Sequence, residues 1–423
     1  MLKKIFGSND IFPNILTLIF GTFLAQLIPI LLQSVLRRIY TPEDFGAIAV
    51  YISITSIFVI FSTLRYEMAI NHPRKGADAV NLVFISILFS FIFNIIFFVI
   101  LLFFNDSIVS LMNIPERHSY ILYFSPLSIF LFSTYQAINY YLVRQKVFGG
   151  ISKNKITRRA AEGITQTGFG LLKNPSGLLI GDIIGHLAHN ISGWYQAFKH
   201  GFSMRLFSFK RQRQLMLTYK DFPLINLIPT FINAICLNIV VLFISVFYSS
   251  EIVGYFDLTR LVLAVPALML TMSISQVLLQ NISQKSKEGL SIKSDIKKLI
   301  MGLAAIGVLM IIIILLIAPW AFELYAGDDY RISGVFSQIL VPAAALKIIV
   351  SPLSIIFIAL NKIKTLSIWQ ISNFLLLCAL YFFRDLDIME FLIVYVIIDV
   401  ISYAALFILI ANMIKKYEIS LNK

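Results

Sequence analysis

Leu299-Ile-Met-Gly-Leu-Ala-Ala-Ile-Gly-Val-Leu-Met-Ile-Ile-Ile-Ile-Leu-Leu-Ile-Ala-Pro-Trp320 contains no charged side chain. At about 1.5 Å per residue, a helix of that length matches the roughly 30 Å hydrocarbon core of a bilayer. Asn81–Phe104, Phe391–Met413 and Ile11–Val35 have the same character, with Asp399 the one charge among them. Hydrophobic residues make up 58% of the 423, charged residues 13%, and the mean hydropathy is +0.85. A soluble fold of this size could not cover so much apolar surface with so few charges. Ile11–Val35 is too long for the core of a secretory signal, so no cleavable signal peptide is expected.

Apolar blocks between charged or Pro/Gly breaks give twelve expected spans: 12–36, 46–70, 79–104, 119–143, 156–173, 177–198, 222–248, 252–281, 297–321, 335–360, 365–383 and 388–413. With the N-terminus placed in the cytoplasm, 24 Lys and Arg fall on the cytoplasmic side, from Lys3 and Lys4 through Lys210, Arg211 and Arg213 to Lys423. Six fall opposite: Arg37, Arg38, Arg117, Lys173, Arg331 and Arg384. That asymmetry is the positive-inside bias, and it assigns both termini to the cytoplasm. The net charge of +13 therefore reports topology, and no nucleic-acid partner is implied. Cys236 and Cys378 lie in apolar spans and suggest neither disulfide nor metal.

The longest connection, Lys199–Lys220, is basic and divides the chain into an N-terminal six-helix bundle (1–198), a cytoplasmic linker (199–220) and a C-terminal six-helix bundle (221–423). A repeat supports the division. Tyr40-Thr-Pro-Glu-Asp-Phe-Gly46 and Tyr248-Ser-Ser-Glu-Ile-Val-Gly254 share the pattern Y-x-x-E-x-x-G, and Gln145-Lys146 is echoed by Asn361-Lys362. Two halves of six spans keep the same orientation. The expected fold is all-α and polytopic, with two bundles related by a parallel pseudo-two-fold around a central cavity.

Three stretches resemble one family: Leu36-Arg-Arg-Ile-Tyr-Thr-Pro-Glu-Asp-Phe-Gly46, Leu64-Arg-Tyr-Glu-Met-Ala-Ile70, and Arg144-Gln-Lys-Val-Phe148 leading into a polar fifth span. They are similar to the Wzx-type oligosaccharide flippases of the multidrug/oligosaccharidyl-lipid/polysaccharide exporter superfamily. The fifth span departs from that pattern by carrying more charge. The resemblance implies an inner-membrane protein that moves an undecaprenyl-diphosphate-linked oligosaccharide to the outer leaflet by alternating access. That transport would serve O-antigen (lipopolysaccharide) or capsule synthesis alongside a polysaccharide polymerase. It implies no cofactor and no catalysis.

Charges inside the bilayer are costly unless hydrated or paired, so each is a functional candidate. In span 5, Lys155, Arg158 or Arg159, Glu162 and Gln166 recur at helical spacing and form one polar face. The arginines are fork-shaped donors suited to a pyrophosphate, or else snorkelling anchors with Glu162 as partner. Span 6 carries the small-residue ridge Gly177, Gly181 and Gly185 beside Asp182, His186 and His189. That trio suits proton exchange or structural pairing, and no further metal ligand is near in sequence.

Arg65 near the cytoplasmic end of span 2 is a candidate first contact for a diphosphate or an anchor, and helical spacing sets it on a different face from Glu67. Arg260 has Asp257 three residues away as its expected partner. Lys347 and Asp399 read as lone mid-span charges, one suited to the cavity and the other to ion coupling. Pro29, Pro126, Pro229, Pro266, Pro342 and Pro352 are candidate kink sites, and Tyr140 and Tyr141 candidate sugar platforms.

Basic spans argue for an anionic cargo over a cationic drug. The outer loops (Asn105–His118, Lys173–Ser176, Ala326–Gly334 and Arg384–Asp387) are too short for a polymerase or glycosyltransferase site, and no Walker motif is present. An ion gradient is the expected driving force, with proton favoured over sodium by the His and Asp content.

Overall fold

The computed structural model describes residues 28–421, and every regular element among them is a helix. Residues 28–39 are helical (α1). There follow α2 (Pro42–Ser62), α3 (Gly76–Leu111), α4 (Ser125–Arg144), α5 (Phe148–Leu171), α6 (Gly177–Lys199), α7 (Leu227–Phe247), α8 (Ser250–Glu288), α9 (Lys293–Ala326), α10 (Arg331–Val350), α11 (Ile363–Cys378) and α12 (Ile388–Leu421). Most of the expected first span, together with Lys3, Lys4 and Lys423, lies outside the described residues. Eight stretches among those described, containing α2–α4, α7 and α9–α12, are long and apolar enough to cross a membrane. With α1, α5, α6 and α8 they make the twelve expected.

The long helices show why a bilayer is required. The most apolar stretch of α9 is only 11% buried within the protein, and that of α3 22%. Leu316 and Phe103 are about three-quarters exposed, so hydrocarbon is the medium that covers them. At 36 residues, α3 is about 54 Å long and overshoots the bilayer core. Asp78 in its first turn pairs with Arg211 on the linker helix Phe209–Thr218. Asn81 accepts from the Ser208 amide at 2.9 Å and donates to the Leu206 carbonyl at 2.8 Å. The linker residues Phe202 and Leu215 thereby enter one apolar core with Ile70, Leu82, Ile138 and Tyr141.

Both copies of the Y-x-x-E-x-x-G repeat start a helix directly after the tyrosine. Thr41 caps α2 in a reciprocal capping box with Asp44, and the Ser249 hydroxyl accepts from the Ile252 amide at the start of α8. Each tyrosine hydroxyl then donates to a distant carbonyl: Tyr40 to Gln166 at 2.7 Å, Tyr248 to Leu386 at 2.9 Å. The second echo does not share its conformation position by position, since Gln145 (φ −81°) and Lys362 (φ −109°) are not left-handed. Lys146 (φ 58°) and Asn361 (φ 56°) are both left-handed and terminate the helices before them.

Three expectations need correction. The second span does not run to residue 70: Leu64 (φ 50°) and Arg65 (φ 64°) are consecutive left-handed residues, and the chain continues as a 3-10 turn, Tyr66–Asn71. Pro126 and Pro352 do not kink helix interiors, since each sits in the first turn of its element. Tyr141 is fully buried, edge-on to Phe202, and cannot face a cargo.

The chain packs as two compact units divided between Ala234 and Ile235, inside α7. In the first, α6 lies directly on α5 through its glycines. A methyl group at Gly181 would come within 2.3 Å of Gln166 Cγ and 3.0 Å of the Glu162 carbonyl oxygen. At Gly185 it would meet Glu162 Cβ at 2.9 Å. This is close backbone approach through small residues. In the second unit, Gly334 of α10 abuts α9, where a methyl would stand 2.4 Å from Pro319 Cα.

Gly334→Ala should therefore lower the thermal unfolding temperature in detergent, at a cost of about 1–3 kcal/mol, because backbone must move to admit the methyl. Gly302→Ala, in open space on α9, should be neutral or mildly stabilising in the same assay.

Candidate anion-binding cleft

The glycine contacts fix α6 against α5 so that the polar stripes of the two helices face each other. Arg158 Nη2 lies 3.2 Å from His186 Nε2 and 3.7 Å from Asp182 Oδ1. Its Nε is 3.9 Å from Glu162 Oε2, and Arg159 Nη1 donates to the same oxygen at 2.9 Å. From α4, Ser128 donates to Asp182 Oδ2 at 3.3 Å, and Tyr51 of α2 donates to Ser128 at 2.5 Å. Two guanidiniums and two carboxylates thus sit in one network, formally neutral while His186 is uncharged.

The network opens into a cleft of about 290 Å³ inside the first unit, walled by Tyr51, Thr55 and Val59 of α2 and Phe132 of α4. Its donors are not all in use. Arg158 Nε and Thr55 Oγ1 are buried and make no hydrogen bond. An anion entering the cleft would meet guanidinium groups already ion-paired with Glu162 and Asp182. His186 Nε2, 3.4 Å from Asp182 Oδ1, has two options. Neutral, it accepts from Arg158; protonated on Nε2, it donates to Asp182.

Five of the ten residues singled out in the sequence converge here: Arg158, Arg159, Glu162, Asp182 and His186. His189 is one turn further along α6, its ring stacked on Tyr135 at 3.2 Å between centroids and both ring nitrogens without a hydrogen bond. The other four are elsewhere. Arg65 pairs with Glu67 at 3.1 Å and donates to Met68 Sδ at 2.8 Å. The separation of Arg65 and Glu67 expected from helical spacing fails because the left-handed pair has already ended the helix. In the second unit, Arg260 pairs with Asp257 at 3.7 Å as expected.

Lys347 and Asp399 are not lone charges, since they pair with each other. The ammonium lies 5.2 Å from the centre of the Tyr403 ring and 5.8 Å from that of Tyr395. Asp399 is 3% exposed, so removing its partner would strand a buried carboxylate. Among the described residues, no three His, Cys, Asp or Glu side chains converge as metal ligands. Tyr51, Ser128 and Thr55 were not singled out in the sequence. The signal available was a set of hydroxyls inside apolar spans, which is too common to be diagnostic.

The first unit thus carries a charge-lined cleft among helices of a multi-pass membrane bundle. An inward-facing multidrug resistance MATE family transporter of the MOP superfamily superposes with a TM-score of 0.74, at 15% identity, over 93% of this chain and 95% of its own. The lipid II flippase MurJ, in an inward closed conformation, gives 0.70 at 16% identity, over 95% and 90%. At such identities these likenesses establish the fold. The chain belongs to the family of polysaccharide biosynthesis proteins, whose pattern matches residues 35–334. A comparison with curated proteins returned no match.

Lys347→Met should cost about 3 kcal/mol of stability, read as a lowered unfolding temperature in detergent, because it leaves Asp399 buried and unpaired. Adding Asp399→Asn should recover most of that loss. Equal instability of the single and double variants would show that the charge pairing is not what matters there.

Proposed function

We propose that this protein flips undecaprenyl-diphosphate-linked oligosaccharide repeat units from the cytoplasmic to the outer leaflet of the bacterial inner membrane by alternating access. Surface polysaccharide, O-antigen or capsule, is the end product, and a polysaccharide polymerase uses the units after transfer. The observation that carries this reading is the pair Arg158 and Arg159 lining a partly buried cleft. Guanidinium forks match the oxygens of a diphosphate, and the lipid tail can remain in the bilayer while the head group crosses. Membership of a polysaccharide biosynthesis family supports the glycan end of the cargo.

The coupling ion is H⁺ or Na⁺, and proton is preferred because His186 can exchange roles between Arg158 and Asp182. Asp399 in the second unit and His189 are further candidates for ion coupling. Arg65, Arg260 and Lys347 are candidates for contact with cargo, each after release from its carboxylate partner. The 24-to-6 bias of Lys and Arg supports a topology with both termini in the cytoplasm. The protein performs no bond chemistry in this reading. Export of a drug or another lipid-linked precursor is the second reading, favoured by the MATE likeness. A cationic drug would be poorly served by a cleft with two arginines.

Deleting the gene in its host should trap intact lipid-linked repeat units on the cytoplasmic leaflet and abolish surface polysaccharide, as read by a side-specific assay. Single units reaching the outer leaflet without chain growth would instead indicate a polymerase. On complementation, Arg158→Ala or Arg159→Ala should abolish transport with normal protein in the membrane. If both variants transport normally, the arginines are topology anchors and the site lies elsewhere.

A further inference from the structure

Residues 199–220 hold six Lys or Arg and no Asp or Glu, and one of the six, Arg211, is taken up by Asp78. Gln212 and Leu215 form the inward side of the linker helix and are buried against the first unit. The outward side is not the wholly polar surface of a solvated helix. Phe209, Arg213 and Leu217 follow one another at four-residue steps and share a face, with Lys210 beside them. Phe209 is 74% exposed and Leu217 67%. Leu206 and Phe207, just before the helix, are exposed too, and so is Arg205 next to them.

The linker follows the end of α6 and docks on the first turn of α3, whose apolar stretch is covered by hydrocarbon. At that end of α6, Trp194 and Phe198 lie 5.2 and 5.7 Å from the Phe202 ring of the linker, and Tyr195 is exposed beside them. Clustered Trp, Tyr and Phe of this kind mark the level of the lipid head groups. The outward face of the linker helix therefore continues the lipid-covered surface at its polar edge. Water alone would leave the Phe209 ring hydrated. An interface with anionic head groups serves both kinds of side chain, giving the acyl boundary to the rings and phosphates to the cations.

We propose that the linker helix is an interfacial anchor that binds anionic phospholipid head groups through Arg205, Lys210 and Arg213 while Phe209 and Leu217 enter between the lipids. The inward side of the same helix holds Leu215 in the core of the first unit and Arg211 on Asp78. Anionic lipid thereby stabilises the closure of that end of the unit, since any ligand that binds the docked linker favours docking. The inference is independent of what the protein transports.

The test is spin-label accessibility in the full chain. A nitroxide is placed on Leu217→Cys after Cys236→Ala and Cys378→Ala remove the other thiols. The protein is reconstituted in nanodiscs of phosphatidylcholine, alone or with increasing phosphatidylglycerol. Phosphatidylglycerol should move the label from contact with a water-soluble nickel chelate to contact with oxygen, which concentrates in lipid. High salt should reverse that change by screening the exposed charges. Lys210→Gln/Arg213→Gln leaves the Arg211–Asp78 contact in place and should weaken the response to phosphatidylglycerol by about fivefold per cation removed. A label equally exposed to water in every lipid would overturn the proposal and leave a solvated basic face. A label equally immersed with and without phosphatidylglycerol would also overturn it, since the apolar side chains alone would then hold the helix down. A response to added undecaprenyl diphosphate but none to phosphatidylglycerol would replace it with a contact for cargo.

Discussion

An uncompensated charge inside a bilayer is too costly to keep, and the arrangement of polar residues in this protein follows from that constraint. Each of the five span-associated cations read from the sequence has a carboxylate within ion-pairing range: Arg65 with Glu67, Arg158 with Glu162 and Asp182, Arg159 with Glu162, Arg260 with Asp257, Lys347 with Asp399. The pairings use whatever geometry the backbone provides. Some are one helical turn apart, one spans a left-handed break, and one joins helices far apart in sequence. Neutrality is the common result, and it lets α5 carry two adjacent arginines.

Helix packing and charge pairing are interdependent. Gly181 and Gly185 bring the α6 backbone against Glu162 and Gln166, and that closeness puts Asp182 and His186 within reach of Arg158. Larger residues at those glycines would separate the helices and uncouple the acids from the arginines. The hydroxyls of Ser128 and Tyr51 extend the network to α4 and α2, so four helices of one unit contribute to the cleft.

Features governed by chain-local physics were legible in the sequence. Bilayer-length apolar blocks gave the helices, three- and four-residue spacing gave one polar stripe on α5 and another on α6, and the small-residue ridge marked α6 for close packing, while the pairing of the two stripes emerged only from the structure. The turn repeat was legible as a pattern before its role as a helix cap was visible. What stayed hidden required tertiary knowledge. Nothing in the sequence joins Lys347 to Asp399 across two helices. Leu64 and Arg65 are not residues that announce a left-handed turn, so the end of α2 and the pairing of Arg65 with Glu67 were both misread. The linker, read from its charge only as a basic connection between halves, carries Phe202 and Leu215 into the core of the first unit.

That docking bears on how the chain is assembled. Asp78, Asn81 and the pocket for Leu215 belong to segments made before the linker, so its residues close that end of the first unit as they emerge from the ribosome. At that moment the second unit has yet to enter the membrane. The first unit can therefore mature as an independent intermediate in vectorial insertion, its charges already matched before the second unit enters the membrane.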